Sequence, residues 1–134
     1  MQIILYYDSH PNRRRKNSAF FELELNGLSL LGVEKVKDFD GHPGAETLIS
    51  NEKYAGFLIN TLDPAYIGVL ETAVLKQMEE GSEQHSNIIL LGSKSNLENH
   101  VRNYGVQVIN TPNGYLQNHH LPQVREALQN IIQG

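Results

Sequence analysis

The sequence predicts an α/β domain built on a five-stranded parallel sheet with helices packed on both faces. Apolar runs and helical segments alternate five times along 134 residues, a length typical of one domain. The runs "QIILYY", "AGFLIN" and "SNIILLG" are almost continuously apolar, as strands covered on both sides are. A helix between successive strands supplies the long crossover that parallel pairing needs.

Each element has a local reason. "QIILYYD" is an apolar run ending on an acid. "SHPNRRRKNSAFFELELNG" reads as a helix: Ser9 is a capping residue, Pro11 suits the first turn, and Gly27 suits the stop. Its expected inward stripe is Phe21, Leu25 and Leu28, with Phe20 and Leu23 beside it. "VEKVKDF" alternates enough for a short strand, and one or two helical turns follow Pro43. "AGFLIN" is the third strand, before a long helix expected to bury Ile67, Leu70, Val74 and Met78. "SNIILLG" and "VQVIN" are the last two strands, separated by the helix "SKSNLENHVRNYG". A final helix from about Leu121 spaces Leu121, Val124, Leu128 and Ile131 on one face.

Composition narrows the functions. A net charge of −4 argues against nucleic acid as the main partner, because phosphate binding usually shows a basic excess. Zero cysteines exclude disulfides, thiolate catalysis and cysteine zinc sites. Nothing resembles a membrane span, and a strand begins directly after Met1, which leaves no room for a signal peptide. A cytoplasmic protein is expected, with 1–134 as one domain, either alone or at the start of a longer regulator.

The order of elements, the length and the strand ends resemble the receiver domain of bacterial two-component response regulators (CheY-like) over nearly the whole chain. The resemblance implies a flavodoxin-like, doubly wound sheet in the order 2-1-3-4-5, with a site at the strand C-terminal ends. Receivers place there an acidic pair, a phosphate-accepting Asp, a Thr or Ser, and a Lys-Pro. The acids hold Mg²⁺, the Asp attacks phosphorus, and the hydroxyl and lysine bind phosphoryl oxygens. This chain departs from the pattern at nearly every position. The acidic pair is Tyr7-Asp8, so one carboxylate remains. The acceptor position falls on Asn60, with Pro64 keeping its place four residues on. The hydroxyl position falls on Gly92 or Ser93, and Lys-Pro becomes Thr111-Pro112. An amide is a poor nucleophile, and the lost charges are those that phosphoryl transfer needs. The resemblance therefore implies a pseudo-receiver with a degenerate pocket of Asp8, Asn60, Ser93 and Thr111, with no catalysis, cofactor or metal.

Other features receive plainer readings. Asp63 is expected to cap the helix that follows rather than to replace the acceptor. "NRRRK" (12–16) is expected to be a solvated first helical turn, although an anion or partner patch is the alternative. His119-His120 are expected in an exposed loop, with no third ligand at zinc spacing. "DGHPG" is a turn without a phosphate-binding pattern, and no nucleophile elbow is present.

The function expected is a phosphorylation-independent signalling domain acting through protein contacts, as a homodimer or with an output domain, in a two-component or transcription-regulatory system. By the resemblance, contacts fall on the face of the fourth helix, fifth strand and fifth helix. Arg102, Tyr104, Val108 and Tyr115 are the candidate partner-binding residues there, and Val108 stands where receivers carry a switching aromatic. The alternatives are a small-molecule sensor, with a pocket of Asp8, Ser9, Asn60, Thr61, Ser93 and Thr111, and a small flavodoxin-like enzyme. Direct binding of nucleic acid or membrane is not expected.

Overall fold

The structure, a computed structural model, describes residues 2–27, 33–42, 44–81 and 84–133. Five parallel strands form one sheet in the order β2-β1-β3-β4-β5: β1 (Gln2–Tyr7), β2 (Val33–Phe39), β3 (Tyr54–Asn60), β4 (Ile88–Gly92) and β5 (Gln107–Asn110). The helices α1 (Pro11–Gly27), α2 (Ala45–Asn51), α3 (Tyr66–Glu79), α4 (Lys94–Tyr104) and α5 (Leu121–Gln133) alternate with them. A short 3₁₀ turn, Asn118–His120, leads into α5.

The period of two along each strand divides the core between two faces. Ile4, Tyr6, Leu58, Ile89, Leu91 and Ile109 face α1 and α5, where Phe21, Val124, Leu128 and Ile131 cover them. Leu5, Tyr7, Phe57, Ile59, Ile88 and Leu90 face the opposite layer, covered by Ile49 of α2, Val69, Leu70 and Val74 of α3, and Leu97 of α4. Burying a side chain such as Leu58 or Leu90 contributes roughly 1.5–3 kcal/mol. That explains why the central strands are apolar at nearly every position.

Two helices face differently from the expectation. In α1, Phe21 is buried but Leu23 is 71% exposed. Residues 21 and 23 lie about 200° apart around a helix, so one stripe cannot bury both. The Leu25 side chain, Leu28 and Pro43 lie outside the described residues. In α3 the buried face is Val69, Leu70, Ala73, Val74 and Gln77, whereas Ile67 and Met78 stand out at 45% and 58% exposure. The turn at the end of α3 presents Gln77 inward because partners await it. Its amide donates to Asn87 Oδ1 at 2.6 Å, and its carbonyl faces His85 Nδ1 at 2.6 Å.

Candidate functional site

Strand parity builds the site. Asp8 and Asn60 continue the alternation of Ile4–Tyr6 and of Leu58, so both side chains fall on the α1 side of the sheet. β1 and β3 pair from Ile4–Gly56 to Tyr7–Ile59, which leaves Asp8 and Asn60 as neighbours just past the strand ends. Pro11 starts α1 three residues later and carries Arg13 back over Asp8.

Asp8 is fully buried and completely engaged. Arg13 grips it with two bonds, Nε to Oδ2 and Nη2 to Oδ1, each 2.7 Å. The Tyr6 hydroxyl donates to Oδ2 at 2.7 Å, and the His10 backbone N–H donates to Oδ1 at 2.9 Å. Bidentate, charge-assisted pairs of this kind are the strong class of hydrogen bond. Arg13 is only 9% exposed, so the expected solvated turn is corrected at this residue. Arg14 is also engaged, donating to the Asp8 carbonyl at 3.0 Å and lying 3.5 Å from Asp38. Only Arg15 and Lys16 of the basic run are exposed.

Asn60 is buried, and its groups point away from chemistry. Its amide donates to the Gly114 carbonyl at 3.0 Å, and its Oδ1 accepts from the Leu62 N–H at 3.2 Å. Asn17 of α1 donates to the same carbonyl at 2.8 Å and to the Tyr6 hydroxyl at 2.9 Å, while its Oδ1 accepts from Leu116 N–H at 3.0 Å. Burial, followed by the charge of Asp8, pushes the Tyr6 hydroxyl well above the ordinary phenol range, so it remains a donor. The Asp8 bond raises the already high pKa of Arg13, so the guanidinium stays charged.

The remaining pocket positions diverge. β4 ends on Gly92, and a Cβ built there would meet Thr61 Oγ1 at 2.1 Å. Thr61 thus fills the space that a side chain at position 92 would need, and its hydroxyl donates to the Leu91 carbonyl at 2.9 Å. Ser93 is the residue preceding α4, with its hydroxyl 3.1 Å from that of Ser95. Thr111 is buried, but its hydroxyl folds back onto the Ile109 carbonyl at 3.2 Å. Its own carbonyl accepts from Gly114 N–H at 2.8 Å, closing a turn that lays Gly114 against Asn60 and Arg13.

Asp63 accepts from Ala65 N–H at 2.9 Å and from Ser9, and these bonds, Ser9 first, hold its carboxyl below the usual range. It serves the turn that opens α3, as a capping residue does.

The candidate contact residues are scattered. Tyr104 is half-buried on the α2–α3–α4 side, stacked on His100 with ring centroids 6.2 Å apart. His100 Nε2 in turn lies 3.0 Å from the Tyr66 hydroxyl. Arg102 is exposed and bonds Asn99 of its own helix. Val108 is half-buried on β5, and Tyr115 lies over α1, where its hydroxyl accepts from Asn12 at 3.4 Å. A groove of about 440 Å³ does run along β5 between α4 and α5, lined by Lys94, Val101, Val108, Gln123 and Glu126 among others.

The histidine pair is split. His119 is exposed but His120 is buried, which corrects the expected loop. His120 Nδ1 accepts from Gln117 N–H at 3.0 Å, so this nitrogen is unprotonated. Burial, then the neighbouring His119, lowers its pKa, and burial does the same to His85. Unfolded histidine titrates near pH 6.5, so on acidification the unfolded chain takes up protons first. Stability present above about pH 6.5 is therefore expected to fall as pH drops below it. Thermal melts at stepped pH check this, and the slope should be shallower in His120→Asn than in the parent.

No protein-family model matches the chain, and no curated protein matches it. Among solved structures, a response regulator receiver protein from Pseudoalteromonas atlantica aligns over 98% of both chains. Its TM-score is 0.59 at 20% sequence identity. The chain has a receiver fold. In receiver terms, Asn60 ends β3, Gly92 ends β4, and the Thr111 turn follows β5. Sequence reasoning missed Arg13, Asn17 and Gly114 as pocket residues, and named Thr61 only for the alternative ligand pocket. The signal for Arg13 was present, since Asp8 shares the parity of Ile4 and Tyr6 and so had to face the helix that begins at Pro11. Among the described residues, no group of three His, Asp or Glu side chains is placed to hold a metal ion. No described helix is long and apolar enough to cross a membrane.

Proposed function

We propose that this chain is a phosphorylation-independent, receiver-like signalling domain that works through protein contacts. The observation that carries the reading is the bidentate Arg13–Asp8 pair beside Asn60. A receiver uses its acidic cluster to attract a divalent cation, which then neutralises the incoming phosphoryl group. Here the chain's own guanidinium occupies that carboxylate, and the group at the acceptor position is an amide committed to the Gly114 carbonyl. Charge, cation and nucleophile are thus replaced by internal hydrogen bonds. The same filling argues against a small molecule at the strand ends, because the groups that would bind it already satisfy one another.

Output falls to surface contact, and the groove between α4 and α5 is the surface assigned to it. Val101 and Val108 supply apolar floor, with Lys94 and Glu126 as polar rim. A cytoplasmic regulator of transcription or of a two-component pathway is the setting in which such a domain operates. Tyr104 lies outside this groove, packed on the α2–α3–α4 side against His100, so Tyr104→Ala is expected to lower stability by roughly 1–3 kcal/mol. A denaturant titration measures that loss.

The chemistry is tested directly. Incubation with acetyl phosphate and Mg²⁺, or with beryllofluoride and Mg²⁺, should produce no phosphoryl-protein and no shift in the amide signals around Asn60. A stable acyl phosphate on the parent protein, abolished in Asp63→Ala or Asp8→Asn, would overturn the reading.

A further inference from the structure

At the end of the sheet remote from Asp8 and Arg13, a pocket of about 210 Å³ opens between the last turns of α3 and α5. Ala55 of β3 and Ile131 of α5 give it an apolar wall, and Gln77, Glu80, Asn87 and Asn130 give it polar groups. We propose that this pocket binds a small, neutral, planar molecule with adjoining N–H and C=O groups, the edge that a pyrimidine base presents. The inference does not depend on the receiver reading.

The polar groups are held in fixed orientations. Gln77 is 4% exposed although its neighbour Met78 is 58% exposed, so α3 turns an amide inward and an apolar side chain outward. Packing alone would favour the reverse, because a buried amide loses its hydration. The Gln77 nitrogen donates to Asn87 Oδ1 at 2.6 Å, and its oxygen accepts from His85 Nδ1 at 2.6 Å. Asn87 therefore turns its oxygen toward Gln77, which leaves its Nδ2 hydrogens as donors to the pocket. On the α5 side, Asn130 Nδ2 donates to Gln107 Oε1 at 2.8 Å, and Gln107 is itself anchored on the carbonyls of Ser86 and Ala127. Asn130 Oδ1 is left as an acceptor. Among the described residues, neither Asn87 Nδ2 nor Asn130 Oδ1 has a protein partner. Gly56 closes the back of the pocket. A Cβ there would lie 2.8 Å from the Asn87 carbonyl oxygen and 2.9 Å from Ile131 Cδ1, so glycine is what lets both approach β3 this closely.

The chemistry of the lining selects the ligand. A donor on one wall and an acceptor on the other match a molecule that offers C=O and N–H side by side. The Glu80 carboxylate adds a second acceptor for N–H. Among the described residues, no lysine or arginine lines the pocket, so a carboxylate or phosphate would enter beside Glu80 without a counter-charge. A simple ammonium ion would leave the Asn87 donor unmatched. The apolar wall suits the face of a ring, and the volume suits a single base, being smaller than the sites that take drug-sized molecules.

Titration of the full chain with uracil, followed through the amide NMR signals, tests this. Saturable shifts should concentrate at Ala55, Asn87 and Asn130, with a dissociation constant on the order of 1 mM, as fits so small a ligand. The N,N′-dimethyl derivative of uracil keeps the ring and lacks the N–H groups, and uridine monophosphate adds a phosphate. Each should bind about tenfold more weakly or worse. Asn87→Asp keeps the oxygen that accepts from Gln77 and removes the donor, so it should weaken uracil binding by a similar factor. Ala55→Leu fills the pocket and should abolish binding. Far-ultraviolet circular dichroism confirms that each variant is folded, and the comparison of three ligands on the parent decides the matter where one is not. The proposal is overturned by a parent without saturable shifts up to the solubility of uracil, or by shifts centred away from these residues. Dimethyluracil or the monophosphate binding as tightly as uracil would also reject it, as would undiminished binding in either folded variant.

Discussion

Arg13→Ala is expected to lower stability by about 3–5 kcal/mol, because it leaves the Asp8 carboxylate buried without its counter-charge. Asp8 keeps only the Tyr6 hydroxyl and the His10 N–H after that change, two bonds for a full negative charge. The single change Asp8→Asn should also be costly, since it strands the guanidinium instead. Changing both, as Asp8→Asn with Arg13→Met, should cost much less than the sum, since neither side is then left charged and unpaired. A double-mutant cycle by urea titration measures the coupling. Near-additive losses would mean that the pair is not what holds α1 over the strand ends. The Arg13→Ala protein also provides a functional check. If the guanidinium is what keeps cations out, Mn²⁺ should broaden the amide signals near Asp8 in the variant and not in the parent.

The second large effect is expected at Gly114. Its backbone has φ +78°, a conformation costing side-chain-bearing residues roughly 1–2 kcal/mol. A Cβ there would also lie 2.6 Å from Leu62 Cδ1 and 3.1 Å from both Arg13 Cδ and Asn60 Nδ2. Overpacking of this kind typically adds about 1–3 kcal/mol. Gly114→Ala should therefore lose about 2–5 kcal/mol in total. It should also pull the carbonyl away from Asn17 and Asn60, since both amides bind that one oxygen. Hydrogen exchange should show Leu116 N–H, which donates to Asn17 Oδ1, losing protection in the variant. A loss of stability below about 1 kcal/mol would show that the turn relaxes freely and that Gly114 does not clamp the site.

Much of the architecture was legible in order along the chain. The apolar runs are strands because nearly every residue in them is buried on one face or the other. The strand order followed from the resemblance and appears in the observed sheet. Which way a helix turns was less legible. Ile67 and Met78 have helical spacing with Leu70 and Val74, yet Gln77 takes the inward place because His85 and Asn87 wait beneath it. Periodicity counts apolar residues and cannot see a polar partner supplied from another segment. The same limit hid His120, whose place is set by Gln117 and by the close of β5.

The sequence by itself determined the alternation of strands and helices and the residue types at the strand ends, Asp8, Asn60 and Thr111, since those are matters of composition and spacing. Only the tertiary structure decided what those residues touch. Arg13 reaches Asp8 because strand parity turns the carboxylate toward α1. Thr61 fills the space above Gly92 because β3 and β4 pair in one register, Asn60 beside Leu91. Gly114 reaches Asn17 across 97 positions of chain. Those contacts depend on where separate segments meet in space, and no local pattern of residues encodes that meeting.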